Sequence, residues 1–344
     1  MSQLDLLIPF ALPPAELAAD LFKQAGTPAL ATLLAQGKTT RAAHDGFRRT
    51  LPHEDWLALA FGMQAESSPA VAPAWMRALG HDPAGGMWYA LQPVHIHIAR
   101  DHLLLTDPSQ LALDEGESLA LFEIARGLFH EAGQELIYGN PGTWFLRADG
   151  WLDLLTSSPD AAAGHNIDIW MPSGPGDRAW RKVQNEVQMH WFDHGINATR
   201  EQQGRQPVNS LWLWGGGKAG ATTGDMPYGM VGNARGWMAA CATRADTART
   251  LAGASDLVDP PERTLVILDK LMRPALASDW GAWLDALRDL ESAWFAPILN
   301  MLKQGRISHA RLILTNDSRS AEFALTRHSL RKFWVKPSLS PLLP

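Results

Sequence analysis

The run Val208-Asn-Ser-Leu-Trp-Leu-Trp-Gly-Gly-Gly-Lys-Ala-Gly220 constrains this chain more than any other stretch. Bulky apolar residues between Pro207 and three consecutive glycines read as a buried strand. Side chains alternate across a strand, so Trp212 and Trp214 share one face and Leu211 and Leu213 the other. Gly215, Gly216 and Gly217 then permit either a tight exit from the sheet or close approach of a ligand to the main chain. Ligands in α/β folds collect at the carboxyl ends of strands, which makes this exit a candidate binding loop. It is not a P-loop: that motif needs Gly where Trp212 stands and Ser or Thr where Ala219 follows Lys218.

Thr264–Leu268 and Arg311–Thr315 are two further continuous apolar runs. Together with Val208–Trp214 they predict a parallel sheet covered on both faces. Val94-His-Ile-His-Ile98 alternates instead, which predicts a one-sided strand in a second sheet, with Val94, Ile96 and Ile98 facing a core. Helical spacing is read over Ala15–Gln36 (interrupted at Gly26-Thr-Pro28), Arg41–Met63, Asp114–Ala132, Met238–Leu251 and Asp279–Lys303. A core-facing stripe, Trp180, Val183, Val187 and Trp191, marks another helix after Pro172–Gly176. Alternating strand and helix material gives an α/β fold class.

Two histidine groups invite a metal. His95 and His97 share the polar side of one strand with His102 close behind, but no carboxylate or cysteine completes a familiar ligand spacing. His190-Trp-Phe-Asp-His194 approaches the inverted zincin pattern, yet Asp193 stands in the Glu position and no third ligand is evident. The bland reading in each case is a polar strand face and a polar helix end.

Composition excludes several functions. With 344 residues the chain can bury a large core and divide into two domains. A net charge of −6 gives no electrostatic reason to expect nucleic acid or an anionic membrane. The single cysteine, Cys241, rules out an internal disulfide and fits a reducing compartment. No apolar run reaches the roughly 18 residues of a membrane span, and the first ten residues lack the basic region and cleavage site of a secretory signal. A cytoplasmic location is expected.

Taken in order, the pieces resemble the archaeal-type, cofactor-independent phosphoglycerate mutases of the alkaline phosphatase superfamily. Gly26-Thr-Pro-Ala-Leu-Ala-Thr-Leu-Leu-Ala-Gln-Gly37 looks like their early "TPNLDxLAxxG" helix. Asp193-His-Gly-Ile-Asn197 with Arg200 and Gly204 looks like "DHxxNxxRxxxG", followed by Pro207, Asn209, Gly215 and Gly217 of a "PANxxLxRGxG" strand. Thr315-Asn-Asp-Ser-Arg-Ser320 and Arg327-His-Ser329 look like a frayed "TGDHSTP…HS" segment. The layout, with Asn185-Glu-Val-Gln-Met189 and Asn209-Ser-Leu-Trp-Leu-Trp-Gly215, is more similar still to the bacterial family labelled regulatory protein RpfE.

This resemblance implies a three-layer α/β/α alkaline phosphatase-like core with a smaller inserted α+β domain. The expected bounds are 1–88 plus 206–337 for the core, 89–205 for the insert and 338–344 for a loose tail. The active enzymes hold two divalent metals beside a phosphorylatable serine, and here the supply of donors fails. The first strand runs Ile8-Pro-Phe-Ala-Leu-Pro13 with no Asp-Gly, and the expected "KxxDxxGH" reads Lys270-Leu-Met-Arg-Pro-Ala-Leu-Ala-Ser278. The nucleophile region near Leu51-Pro-His-Glu-Asp55 has no serine. Only Asp317 and His328 survive as residual metal candidates, too few for a two-metal site. The resemblance therefore implies a non-catalytic binding or regulatory protein, with no cofactor expected. The alternative is an altered phosphohydrolase or phosphomutase using Mn or Zn. A small phosphorylated metabolite or a protein is the expected partner. An anion would meet Arg200, Lys218 and Lys270, with Asn209 and the Gly215–Gly217 backbone beside them.

Overall fold

The computed structural model describes residues 2–99, 102–220, 226–332 and 334–343. In chain order the elements are β1 (Gln3–Ile8), α1 (Ala15–Ala25), α2 (Pro28–Gln36), β2 (Lys38–Ala43), α3 (Pro52–Phe61) and α4 (Ala72–Ala78). Then follow β3 (Met87–Val94), β4 (Ile96–Ala99), β5 (His102–Leu105), α5 (Glu115–Glu131), β6 (Glu135–Asn140), β7 (Thr143–Arg147) and α6 (Pro159–Ala162). The chain continues through α7 (Asp177–Phe192), α8 (Gly195–Gln202), β8 (Ser210–Lys218), β9 (Tyr228–Gly232), α9 (Ala239–Ala242), β10 (Ala245–Arg249) and β11 (Arg263–Ile267). It ends with α10 (Met272–Leu276), α11 (Trp280–Leu290), α12 (Ala296–Gln304), β12 (His309–Thr315) and β13 (Arg319–Thr326). The fold is α/β, and none of the described helices is long and apolar enough to cross a membrane.

Two compact units divide the chain: 1–47 with 225–344, and 48–224. The first is built on a seven-stranded sheet of order β10-β9-β11-β1-β12-β13-β2. Its first five strands run parallel, whereas β13 and β2 join antiparallel at one edge. β1 lies near the centre because both its faces are apolar enough to bury: Leu4, Leu6 and Ile8 on one side, Leu7 on the other. The first of these faces packs on α1, α2, α11 and α12 through Leu21, Leu30, Leu33, Trp283, Leu287 and Ile298. Asp5 is the polar exception on β1. It is buried, and its carboxylate accepts from Tyr228 Oη at 2.7 Å, Arg311 Nη2 at 2.6 Å and Gln3 Nε2 at 3.0 Å.

The long helix expected over 279–303 forms, but a π-turn at Glu291–Phe295 joins α11 to α12. Glu291 is buried, and its carboxylate accepts from Ala29 N at 2.6 Å and Leu30 N at 3.0 Å. These are free donors of the first turn of α2, which Thr27 does not cap with its own side chain. Glu291→Ala is expected to cost about 2 kcal/mol in a urea unfolding series, since two charge-assisted bonds and a dipole contact go together. Glu291→Asp, too short to reach both donors, should recover only part.

The second unit holds an antiparallel sheet of order β6-β7-β3-β8 and a two-stranded ribbon, β4-β5. One sheet face carries Tyr89, Leu91, Trp144, Leu146, Leu211 and Leu213. It is covered by α5 through Phe122 and Phe129 and by α7 through Trp180, Val187 and Trp191. The opposite face presents Phe145 and Trp214, which meet Trp75 of α4 edge-on at 6.0 and 6.1 Å between ring centroids.

Here the structure corrects the expected bounds. Val208–Trp214 belongs to this second sheet, paired antiparallel with β3, and not to the parallel sheet of the first unit. A continuous apolar run reports burial on two faces; α4 and α5/α7 supply those faces without any parallel partner. The unit boundary therefore falls at 47/48 and 224/225 rather than at 88/89 and 205/206.

Three local expectations also change. The alternating run breaks at His95, because β3 ends at Val94 and the Asn209 side chain bonds both Ile96 N and Ile96 O, so Ile98 is 78% exposed. The helix expected over Arg41–Met63 starts only at Pro52, after β2, and the one expected over Met238–Leu251 shortens to Ala239–Ala242 before β10; both strands are edges. The tail is not loose: Leu342 is buried in the core, Arg319 donates to Leu342 O, and Ser338 N donates to Ala31 O. Phe333 lies outside the described residues.

Candidate functional site

The carboxyl ends of β1, β11 and β12 are neighbours at the centre of the seven-stranded sheet, where an α/β protein places its chemistry. What the loop after β1 supplies there is apolar, whereas β12 ends on the buried polar residues Thr315 and Asn316. β1 runs into Pro9 and Phe10, and Phe10 is buried in a left-handed conformation, φ +57°, that side chains seldom adopt. Phe10 O accepts from Trp283 Nε1 at 2.9 Å, Leu12 N donates to Thr315 O, and Ala11, Leu12, Leu271, Trp283 and Leu314 join the core. Asn316, after β12, spends its Oδ1 on Ser318 N and Arg319 N, which closes the β12–β13 turn.

Asp317 and His328 are not brought together. Asp317 lies in the turn before β13 and His328 follows its far end, both exposed. β13 has 8 residues, so its length alone separates them by roughly 24 Å. Ligands of one ion lie about 2–2.6 Å from it, so these two cannot share a metal. Among the described residues no group of three His, Cys, Asp or Glu side chains forms a metal-sized cluster. Among the described residues, then, no donor set matches the two divalent metals implied by the resemblance.

The six candidate anion contacts separate into structural groups and surface charges. Arg200 is fully buried; it donates to Glu117 Oε2 at 2.7 Å, Leu111 O at 2.6 Å and Gln206 O at 2.8 Å. Asn209 holds the start of β4, as described. Gly215 (φ +71°) and Gly216 serve packing: a Cβ on Gly215 comes 2.8 Å from Val71 Cγ2, and one on Gly216 overlaps the Tyr89 ring. Gly217 packs on Ala70 and Pro73. Lys218 is exposed at the far end of β8, whose 9 residues set it roughly 27 Å from the Gln206 end that holds Arg200. Lys270 belongs to the first unit, exposed, with Asp289 at 4.0 Å. Arg200 and Lys218 thus do not converge, and the expected three-cation cradle is not built.

The histidine candidates resolve similarly. His95 Nδ1 lies 2.8 Å from Pro207 O, and burial lowers its pKa. His97 stacks on it at 6.0 Å. His194 lies beyond the end of α7 and accepts from Ile196 N as the N-cap of α8, so it shares no helical face with His190.

The residue that sequence reasoning missed is Glu54. It sits in the first turn of α3, inside the Leu51–Asp55 segment expected to carry a nucleophile, and is completely buried. Its Oε2 accepts from Leu51 N and from Ser158 Oγ, both at 2.8 Å. Burial foremost, and then the negative charge of Asp160 and more weakly Asp55, raises its pKa to about 8. Pro52 at the helix start with an acid two positions on was a legible cap signal, but nothing local announced the burial.

No family profile matches the chain. It is 26% identical over 130 residues, 37% of its length, to a probable 2,3-bisphosphoglycerate-independent phosphoglycerate mutase of Geobacter sulfurreducens. It is 25% identical over 234 residues, 62% of its length, to the 2,3-bisphosphoglycerate-independent phosphoglycerate mutase of Methanosarcina mazei. The matches span 32% and 54% of these curated relatives. Among solved structures, a cofactor-independent phosphoglycerate mutase of Thermoplasma acidophilum aligns over 100% of this chain and 95% of its own, with 16% identity and a TM-score of 0.49. A protein of Pyrococcus horikoshii aligns over 94% and 87%, with 12% identity and a TM-score of 0.47. In sequence the chain is similar to cofactor-independent phosphoglycerate mutases over part of their length.

Proposed function

We propose that this is a phosphoglycerate mutase-related protein of alkaline phosphatase type that has left phosphoryl transfer and acts by binding or regulation in the cytoplasm, as the RpfE-type resemblance implies. One observation carries the reading: Asp317 and His328, the two surviving ligand-like residues, stand at opposite ends of β13. The apolar packing around Phe10 and Trp283 supports it, because the loop after β1, where the resemblance expects an acidic metal ligand, offers none. Glu54 supports it too, since the segment expected to offer a nucleophile offers a buried acid bonded to Ser158. The partner is a small phosphorylated metabolite or another protein.

The test is a coupled assay on 3-phosphoglycerate with Mn²⁺ or Zn²⁺ supplied, alongside metal analysis of the purified protein. The expected results are no turnover and no stoichiometric metal. Turnover that disappears in Asp317→Asn or His328→Ala would restore the second reading, a metal-dependent phosphohydrolase or phosphomutase with an altered site. A thermal-shift screen of phosphorylated three-carbon acids separates the metabolite partner from the protein partner.

A further inference from the structure

In the second unit α7 forms one wall of a cavity of about 510 Å³ against the β4–β5 ribbon and the 167–171 segment. This volume lies within the range of small-molecule sites, about 300–1,000 Å³. One side is apolar: Ile96, Leu103, Ile167 and Met171. The α7 side carries Arg181, Gln184 and Gln188, spaced three and four apart so that they share one helical face. Asp168 also lines the cavity.

The polar groups are fixed in a particular sense. Gln184 is only 4% exposed, and its amide nitrogen is spent on Ser210 Oγ at 3.1 Å and Leu211 O at 2.9 Å. Gln188 Nε2 also donates to Ser210 Oγ, at 2.8 Å. Both amides are thereby oriented, and each keeps an Oε1 that takes no donor from the described residues. The same bonds tie α7 to β8, the edge strand of its sheet, so the two amide oxygens are held on the cavity side. Arg181 and Asp168, both exposed, border the same space.

We infer that this cavity binds a zwitterion of the α-amino acid class with an apolar side chain, as a free amino acid or a whole dipeptide. Arg181 receives the carboxylate through its planar fork. The ammonium, which can only donate, goes to Asp168 and the Gln184 and Gln188 oxygens. The side chain packs on Ile96, Leu103, Ile167 and Met171, where burying apolar area drives association. The site is independent of the phosphoglycerate mutase-like reading, and either can fail without the other.

Isothermal titration of the full chain with L-leucine, L-leucyl-L-leucine, leucinamide and N-acetyl-leucine tests the inference. Leucine or the dipeptide, whichever is the natural source, is expected to bind below about 10 mM, and both mono-charged analogues at least tenfold more weakly. Arg181→Gln should weaken the zwitterion about tenfold while leaving leucinamide unchanged. Asp168→Asn should do the same while leaving N-acetyl-leucine unchanged. Both changes are at exposed positions, and unchanged unfolding curves establish that they fold. Absence of binding by either zwitterion, or binding indifferent to both substitutions, overturns the inference.

Discussion

Arg200→Met should lower the unfolding free energy by about 3–5 kcal/mol, the largest loss expected of any single change argued for this chain. The side chain is wholly buried, and each of its three nitrogens has an acceptor: Glu117, Leu111 O and Gln206 O. Truncation removes the Arg200 donors from the buried Leu111 carbonyl and from Gln206 O, and leaves Glu117 Oε2 with only Arg205 Nη2 and Asp114 N among the described residues; losing a donor to a buried group costs more than the bond itself. Arg200→Lys should also lose heavily, because an ammonium cannot reproduce a planar fork that spans three acceptors. Arg205→Ala is the control. It removes another partner of the same Glu117, but its side chain is 32% exposed, so the loss should stay near 1 kcal/mol. Guanidinium or urea unfolding at constant pH measures all three. A variant at Arg200 that unfolds like the native chain would contradict the structural role and return the residue to the list of ligand contacts.

That expectation explains what the sequence made legible. The stretch from Asp193 to Gly204 carries the strongest motif match, and the structure uses it to tie a corner. His194 caps α8, Asn197 bonds Trp191 O and Val208 on both its amide atoms, and Arg200 anchors the loop ahead of β8. Polar residues that satisfy buried backbone at a chain reversal are as demanding of spacing as a binding site, so the two look alike in one dimension. Strand identity was legible for the same local reason: alternation and apolar runs follow burial. Strand direction and partner were not. β8 and β11 both carry continuous apolar runs, yet β8 lies in an antiparallel sheet and β11 among parallel strands. Edge strands failed differently: β2 and β10 are almost wholly exposed, so their composition carried no burial signal and their spacing passed for helix. Among the site residues, the failure of Asp317 and His328 to converge is a matter of β13's length, which only the strand assignment fixes, since spacing in the sequence bounds their reach from above alone. The burial of Glu54 depends on Ser158, a hundred residues away in sequence, and no local pattern could supply it.

Glu54 should also set the pH dependence of stability. Its carboxyl titrates at about 8 in the folded protein against 4.5 for the unperturbed group. Between these values the folded chain holds a proton that the unfolded chain has released. Stability is therefore full below pH 4.5, falls as pH rises through the window, and levels off above pH 8. The slope is at most about 1.4 kcal/mol per pH unit, and roughly 3 kcal/mol is expected over the whole span after local relaxation. Glu54→Gln keeps an oxygen for Leu51 N and Ser158 Oγ but cannot ionise. Subtracting its unfolding free energies from those of the native chain isolates the contribution of this one group from every other titration. The difference should favour the native chain, or be close to zero, at pH 5 and swing toward the variant by pH 8.5. Asp160→Asn removes a neighbouring negative charge, so it should move the midpoint of the swing to lower pH without abolishing it. Two curves that stay parallel from pH 5 to 8.5 would mean that the Glu54 carboxyl does not hold its proton in the fold, and that water or a counter-charge reaches its Oε1.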